Sequence, residues 1–186
     1  MTAQPQAARF TAETFMAWAA EQPRGRFELA GGAIVAMAPE RAGHARAKLE
    51  AVIALRAAII ARGLRCEAMT DGMSVRIDDQ TVYEPDALVR CGPRLPGETV
   101  EITDPIVVVE VVSPSSRGID TGAKLAGYFR LPSLSHYLVV DASAGAVIHH
   151  RRDERGRIAT QVLHGGALEL DPPGLTIGVG EVFAAL

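Results

Sequence analysis

The spacing of apolar positions changes period several times along the chain, and each change marks an element. "TAETFMAWAAEQ" (residues 11–22) has the spacing of a short amphipathic helix opened by a threonine cap. "RFEL" and "AIVAM", joined across Ala30-Gly31-Gly32, read as a β-hairpin with a glycine turn. Residues 43–62, "GHARAKLEAVIALRAAIIAR", return to helical spacing: Leu49, Val52, Ile53 and Ile60 share one predicted face, and Gly63 ends the helix. Three strand candidates follow, "LRCEAM", "MSVRI" and "DALVRC", separated by Asp-Gly and Asp-Asp turns. A Pro/Gly-rich loop then leads to "PIVVVEVVSPSS" (residues 105–116), a β-branched run closed by a Ser-Pro break. Such a run needs no polar alternation when the strand is buried on both faces. A helix over about residues 117–130 puts Leu125, Tyr128 and Phe129 on an apolar face. "HYLVVDA" and "AVIHHRR" form a hairpin around Ser143-Ala144-Gly145, with His149 and His150 expected on the strand surface. The tail "LELDPPGLTIGVGEVFAAL" gives short strands and a closing turn. Strands with interspersed helices predict an α/β (α+β) architecture in one domain over residues 1–186, with residues 1–10 a flexible lead.

Composition narrows this picture. With 48% hydrophobic and 22% charged residues over 186 positions, folding buries roughly 70% of the unfolded chain's surface, so the core requires neither a disulfide nor a structural metal. Cys66 and Cys91 form no metal-ligand set; they are expected to be reduced core thiols, which points to the cytoplasm. The first ten residues lack an apolar signal region, and no apolar run approaches the roughly 18 residues of a membrane span. A net charge of −3 argues against bulk electrostatic coating of nucleic acid. Residues 41–65 hold five arginines and Lys48 against a single acid, Glu50, a run best read as a solvated helix face. The chain carries 17 arginines and only two lysines, Lys48 and Lys124.

Candidate chemistry begins with Glu110, a carboxylate inside "IVVVEVV". An unpaired carboxylate in a buried strand protonates, pairs or binds a metal. Pro85-Asp86 heads the strand "DALVRC", and if the two strands are neighbours Asp86 and Glu110 share one cleft. Two close carboxylates raise each other's pKa unless a cation separates them. A hard divalent ion, Mg²⁺ or Mn²⁺, resolves the repulsion with oxygen ligands, and the backbone carbonyl of Val111 offers a third. Such a site suits phosphodiester hydrolysis. Lysine is the cation whose pKa responds to its surroundings, which singles out Lys124 in the helical series Asp120, Lys124, Tyr128. The other roles open to these residues are a Glu110–Arg90 ion pair, an Asp120–Lys124 helix pair, core packing for Tyr128, and capping for His44.

The pattern "EPD…VVVEVVSPSS…D-x3-K-x3-Y…HYLVVD" resembles the Uma-type restriction endonuclease family, a branch of the PD-(D/E)XK nuclease superfamily. "RFELAGGAIVAM" followed by His44, and "DPPGLTIGVGEVF", extend the likeness over most of the chain. The resemblance implies a restriction-endonuclease-like fold, a mixed central sheet flanked by helices behind an N-terminal helix and hairpin. It also implies metal-dependent endonuclease activity on DNA: Asp86 and Glu110 match the acidic metal ligands and Lys124 the catalytic lysine. His44, Asp120 and Tyr128 are supporting positions. Val112 stands where the superfamily keeps its strand lysine, so the helix lysine is expected to substitute. A non-catalytic module of the same fold, binding nucleic acid or a protein, is the alternative class, and a homodimer is the default assembly.

Overall fold

The strand that carries Glu110 sits inside a six-stranded sheet. The computed structural model describes residues 9–112 and 120–184. In chain order the elements are α1 (Ala12–Ala20), β1 (Phe27–Ala30), β2 (Ala33–Ala36), α2 (Ala42–Arg62), β3 (Cys66–Thr70), β4 (Ser74–Asp78), β5 (Thr81–Tyr83), β6 (Ala87–Cys91), β7 (Glu101–Ile102), β8 (Val107–Val112), α3 (Asp120–Tyr128), β9 (His136–Asp141), β10 (Ala146–Arg152), β11 (Ile158–Leu163), β12 (Ala167–Leu170) and β13 (Leu175–Gly178), followed by a 3₁₀ turn (Val179–Phe183). The main sheet runs β11-β10-β9-β8-β6-β3, and a second sheet runs β2-β1-β5-β4-β7. In the main sheet β8 and β9 are parallel and the other pairs antiparallel. This is the mixed sheet flanked by helices that the sequence predicts.

Alternation along β8 divides the core in two. Val107, Val109 and Val111 face α2 and the β12–β13 ribbon, among Ala51, Leu55, Leu168 and Ile177. Val108 faces the other way, towards Tyr128 of α3 and Val75 and Tyr83 of the second sheet. The strand is therefore buried on both sides, as its unbroken β-branched run requires. Glu110 projects on the same side as Val108. Thr11 caps α1 through a reciprocal pair with Thr14, and Gly63 closes α2 in the left-handed conformation. Gly127 of α3 lies where a Cβ would come within 2.7 Å of the Tyr83 ring, so only glycine lets this helix approach so closely.

Four expectations are corrected. Leu49, Ile53 and Ile60 of α2 are exposed at 57%, 50% and 65%, whereas Ala47, Lys48, Ala51, Leu55 and Ile59 are buried. Alanines allow close approach to the sheet, and this roll of the helix turns His44 and Lys48 inward. Cys66 and Cys91 stand directly across from one another in the β3–β6 register and form a disulfide. Their separation of 25 residues in sequence hid that adjacency, and thiol usage no longer argues for the cytoplasm. Phe10, assigned to the flexible lead, donates its amide to the Gly32 carbonyl at 2.9 Å and packs edge-on against Trp18. No helix among the described residues is long and apolar enough to cross a membrane.

The fourth correction concerns His149, which is buried at 1% exposure rather than lying on the surface. Its Nε2 meets Nδ1 of His136 at 2.8 Å, and the other nitrogen of His136 reaches the Pro172 carbonyl at 2.9 Å. The Gln161 side chain meets Nδ1 of His149. A single donor direction, from Gln161 through His149 and His136 to Pro172, satisfies the whole chain with both imidazoles neutral. Burial lowers both pKa values from 6.5 to about 4. Between these values the unfolded chain binds more protons, so the stabilising contribution of the pair is full above about pH 6.5 and is lost as pH falls towards 4. In thermal melts at pH 7 and pH 5, the wild type should lose more stability on acidification than His149→Gln. An equal loss in both proteins would show that the pair does not govern the acid response.

Candidate active site

Asp86 immediately precedes β6, and the β6–β8 register pairs Ala87 with Val109 and Leu88 with Val108. One step further along this antiparallel ladder, Asp86 falls across from Glu110. The two predicted acids thus share one end of the sheet, Asp86 5% exposed and Glu110 9%. The amide of Val111 donates to Asp86 Oδ2 at 2.7 Å, and His44 Nε2 lies 3.1 Å from the same oxygen. His44 is therefore brought into the site from the first turn of α2. The hydrogen bond to Asp86 raises its pKa above 6.5, against the pull of burial.

Glu110 is held from the other side. Its Oε1 accepts from Lys124 Nζ at 3.0 Å and from the Tyr128 hydroxyl at 2.8 Å. These residues stand one helical turn apart on α3, so one helix face delivers both donors. Lys124 Nζ also donates to Glu28 Oε1 at 2.9 Å and lies 5.7 Å from the centroid of the Tyr83 ring. Burial pushes the Glu110 carboxyl up to about 7, with Asp86 and Glu28 adding to the rise and Lys124 and Tyr128 opposing it. Lys124 stays charged, because its two carboxylate partners outweigh its burial. Tyr128 is held protonated by burial and by those same negative charges. Among the described residues Glu110 Oε2 and Asp86 Oδ1 accept no hydrogen bond.

The structure adds residues that the sequence did not single out. Lys48, one turn beyond His44, is only 4% exposed. It donates to Asp71 at 2.7 Å, contacts Glu40, and lies 3.9 Å from Asp86 Oδ1. Arg26 bridges Asp71 and Glu84 at 2.6 and 2.5 Å. Glu28 joins the cluster through Lys124 and through the amide of Glu84. The detectable signal was lysine scarcity, since both lysines of the chain stand here against carboxylates, Lys48 buried and Lys124 half-buried, while the arginines are spread along the chain. The alternative ion pair of Glu110 with Arg90 is not formed: Arg90 bonds Asp104 instead. Residues 113–119, including the Ser-Pro break, and the side chain of Asp120 lie outside the described residues.

The donor chemistry suits a divalent cation. Six carboxylates, from Glu28, Glu40, Asp71, Glu84, Asp86 and Glu110, surround three permanent cations, Arg26, Lys48 and Lys124. Burial is the main cause of the Glu110 rise, with Asp86 and Glu28 adding to it, and an added cation would oppose both. Glu40, His44 and Asp86 each offer a ligand atom, all within 4.8 Å of one another. Oxygen donors with one imidazole accommodate Mn²⁺ more readily than Mg²⁺.

The order and pairing of the strands define a mixed α+β fold of the nuclease-like class, and comparison with known proteins gives the family. The chain belongs to the Uma2 family, described as "Putative restriction endonuclease", whose model matches residues 12–182. It is 29% identical over 184 residues to the uncharacterized protein slr1290 of Synechocystis sp., covering 96% of this chain and 93% of that protein. Its fold is similar to a crystal structure of a putative nuclease belonging to DUF820 from Anabaena variabilis, with a TM-score of 0.74, 14% identity, and coverage of 94% of this chain and 98% of that one.

Proposed function

We propose that the chain is a metal-dependent endonuclease that hydrolyses DNA phosphodiester bonds at the Asp86–Glu110 end of the main sheet. The observation that carries this reading is the cross-strand acid pair with the Lys124 ammonium 3.0 Å from Glu110. These are the three groups that hydrolysis needs, assembled although Val112 stands in place of a strand lysine. Asp86 and Glu110 would hold Mn²⁺ or Mg²⁺, with the Val111 carbonyl as a third oxygen and His44 beside Asp86. When bound, the ion supplies Lewis acidity at a phosphoryl oxygen and a more acidic water.

The chain's own residues supply the rest. The Val111 amide and His44 fix the Asp86 carboxylate, and Tyr128 orients Glu110 by donating to it. Lys124 places a permanent positive charge where a phosphate would gather negative charge, and the buried Tyr83 and Tyr128 rings keep that charge poorly solvated. Lys48 holds the start of α2 and the β3–β4 turn against Asp86 through Glu40 and Asp71.

Supercoiled plasmid incubated with the protein and Mn²⁺ should be nicked, nicking should stop with chelator, and it should return when Mn²⁺ is added back. Cleavage that persists under chelation would remove the metal from the reaction. Stable plasmid binding without cleavage under all conditions would favour the non-catalytic module, for which the missing strand lysine at Val112 is the motive.

A further inference from the structure

We propose that β11 is a self-pairing edge through which two copies of this chain join their main sheets into one. An edge strand presents a row of unpaired backbone donors and acceptors, and soluble proteins blunt such edges with charge, proline, bulges, short length or a covering segment. Three of the four edges of the two larger sheets are protected in these ways. The β7 edge is two residues long and the β2 edge four. The β3 edge carries a charge, Glu67, whose carboxylate accepts the Leu95 amide at 3.1 Å.

Among the described residues the β11 edge has none of these features. Its six residues, Ile158–Leu163, contain no charge, proline or glycine, and pair with β10 in unbroken register from Ile158 to Leu163. Five of the six are exposed. Two of them are large and apolar, Ile158 at 39% and Val162 at 57%. Both lie on one face of the strand with Thr160 between them.

Symmetry identifies the occupant. Two antiparallel copies of one edge strand are related by a twofold axis perpendicular to the sheet, which keeps each face on its own side. A residue must then meet one of the same face. With the axis at Thr160, Ile158 lies across from Val162 of the second copy, Val162 across from Ile158, and Thr160 across from itself. β-Branched pairs of this kind are favourable, and the Thr160 hydroxyl at the axis is held within its own chain by His150 Nδ1 at 2.8 Å. Moving the axis to Ala159 or Gln161 leaves the exposed apolar residues facing Thr160 and glycine or Thr160 and His164. Only the Thr160 register makes the two exposed apolar side chains cover each other. β9 and β10 separate this edge from β8, a distance of about 14 Å, so the interface stands apart from the Asp86–Glu110 site and does not depend on its function.

Sedimentation of the full chain at micromolar concentration should show a dimer. Thr160→Lys and Thr160→Glu, each placing like charges opposite one another at the axis, should each sediment as monomers. An equimolar mixture of the two should recover the dimer, while a Thr160→Cys chain should form a covalent dimer on oxidation. Plasmid nicking per chain should be unchanged in the monomeric variants. A wild type that is monomeric at about 100 μM, a Thr160→Lys chain that remains dimeric, or a mixture of two folded variants that stays monomeric would each overturn the proposal. Val162→Lys repeats the test at a second exposed position should either Thr160 variant fail to fold.

Discussion

Plasmid nicking should fall by about a thousandfold or more in Glu110→Gln and in Asp86→Asn, with both proteins still folded. Each substitution keeps the shape of the side chain and removes the negative charge. The glutamine side chain would still accept from Tyr128 and Lys124, and the asparagine side chain would still accept from the Val111 amide, because those contacts converge on one oxygen of each residue. Holding a divalent cation contributes several kcal/mol of charge stabilisation at the phosphate, and each 1.36 kcal/mol is tenfold in rate. The stability effect should run the other way for Glu110, a buried carboxyl raised to about 7 and crowded by Asp86 and Glu28. Neutralising it removes the cost of burying a charge there, so the metal-free Glu110→Gln protein should melt no lower than the wild type at pH 8. Loss of nicking together with a normal melt identifies a functional carboxylate. Nicking that survives in both variants would place the chemistry elsewhere.

Lys124→Met should abolish nicking as well, and unlike the carboxylate variants it should also destabilise the fold, by about 3 kcal/mol at neutral pH. The ammonium serves two buried carboxylates, Glu28 and Glu110, and removing one member of a buried pair leaves the remaining charge without compensation. For a chain of this size that corresponds to a drop of about 6–12 °C in Tm. Adding Glu110→Gln to Lys124→Met should restore part of the loss, since a neutral side chain needs no counter-charge. Lys124→Arg should keep a positive charge but not the activity, because the planar guanidinium does not fit the slot between Glu28, Glu110 and the Tyr83 ring as the compact ammonium does. A Lys124→Met protein as stable as the wild type would show that the pairing in the structure carries little energy, and a Lys124→Arg protein with full nicking would show that any cation suffices.

Much of this arrangement was legible in sequence, and the reasons are local. The Gly63 stop, the Gly31-Gly32 hairpin and the β-branched run of β8 each rest on chemistry contained within a few residues. The Asp86–Glu110 pair was legible because a charge in an apolar run demands a partner and the strand pattern supplies one. What escaped depended on how distant segments meet. Glu28 and Lys124 are 96 residues apart, and Lys48 and Asp71 are 23 apart. Periodicity marked Leu49, Ile53 and Ile60 as a face, but the roll of α2 is set by small alanines on the sheet and by His44 and Lys48 turning towards carboxylates. The Cys66–Cys91 bridge and the His136–His149 pair failed for the same reason, since both are cross-strand facts that follow from register. Lysine scarcity marks both Lys48 and Lys124, but only Lys124 stands near Glu110 in sequence.

Crystals soaked in Mn²⁺, with anomalous scattering recorded, test the assignment most directly. The expected result is a manganese peak within bonding distance of carboxylate oxygens from both Asp86 and Glu110, with the Lys124 ammonium retained beside Glu110. Manganese bound by Glu40 and His44 without Glu110, or no ordered manganese in the cleft at all, would contradict a hydrolytic centre built on that acid pair.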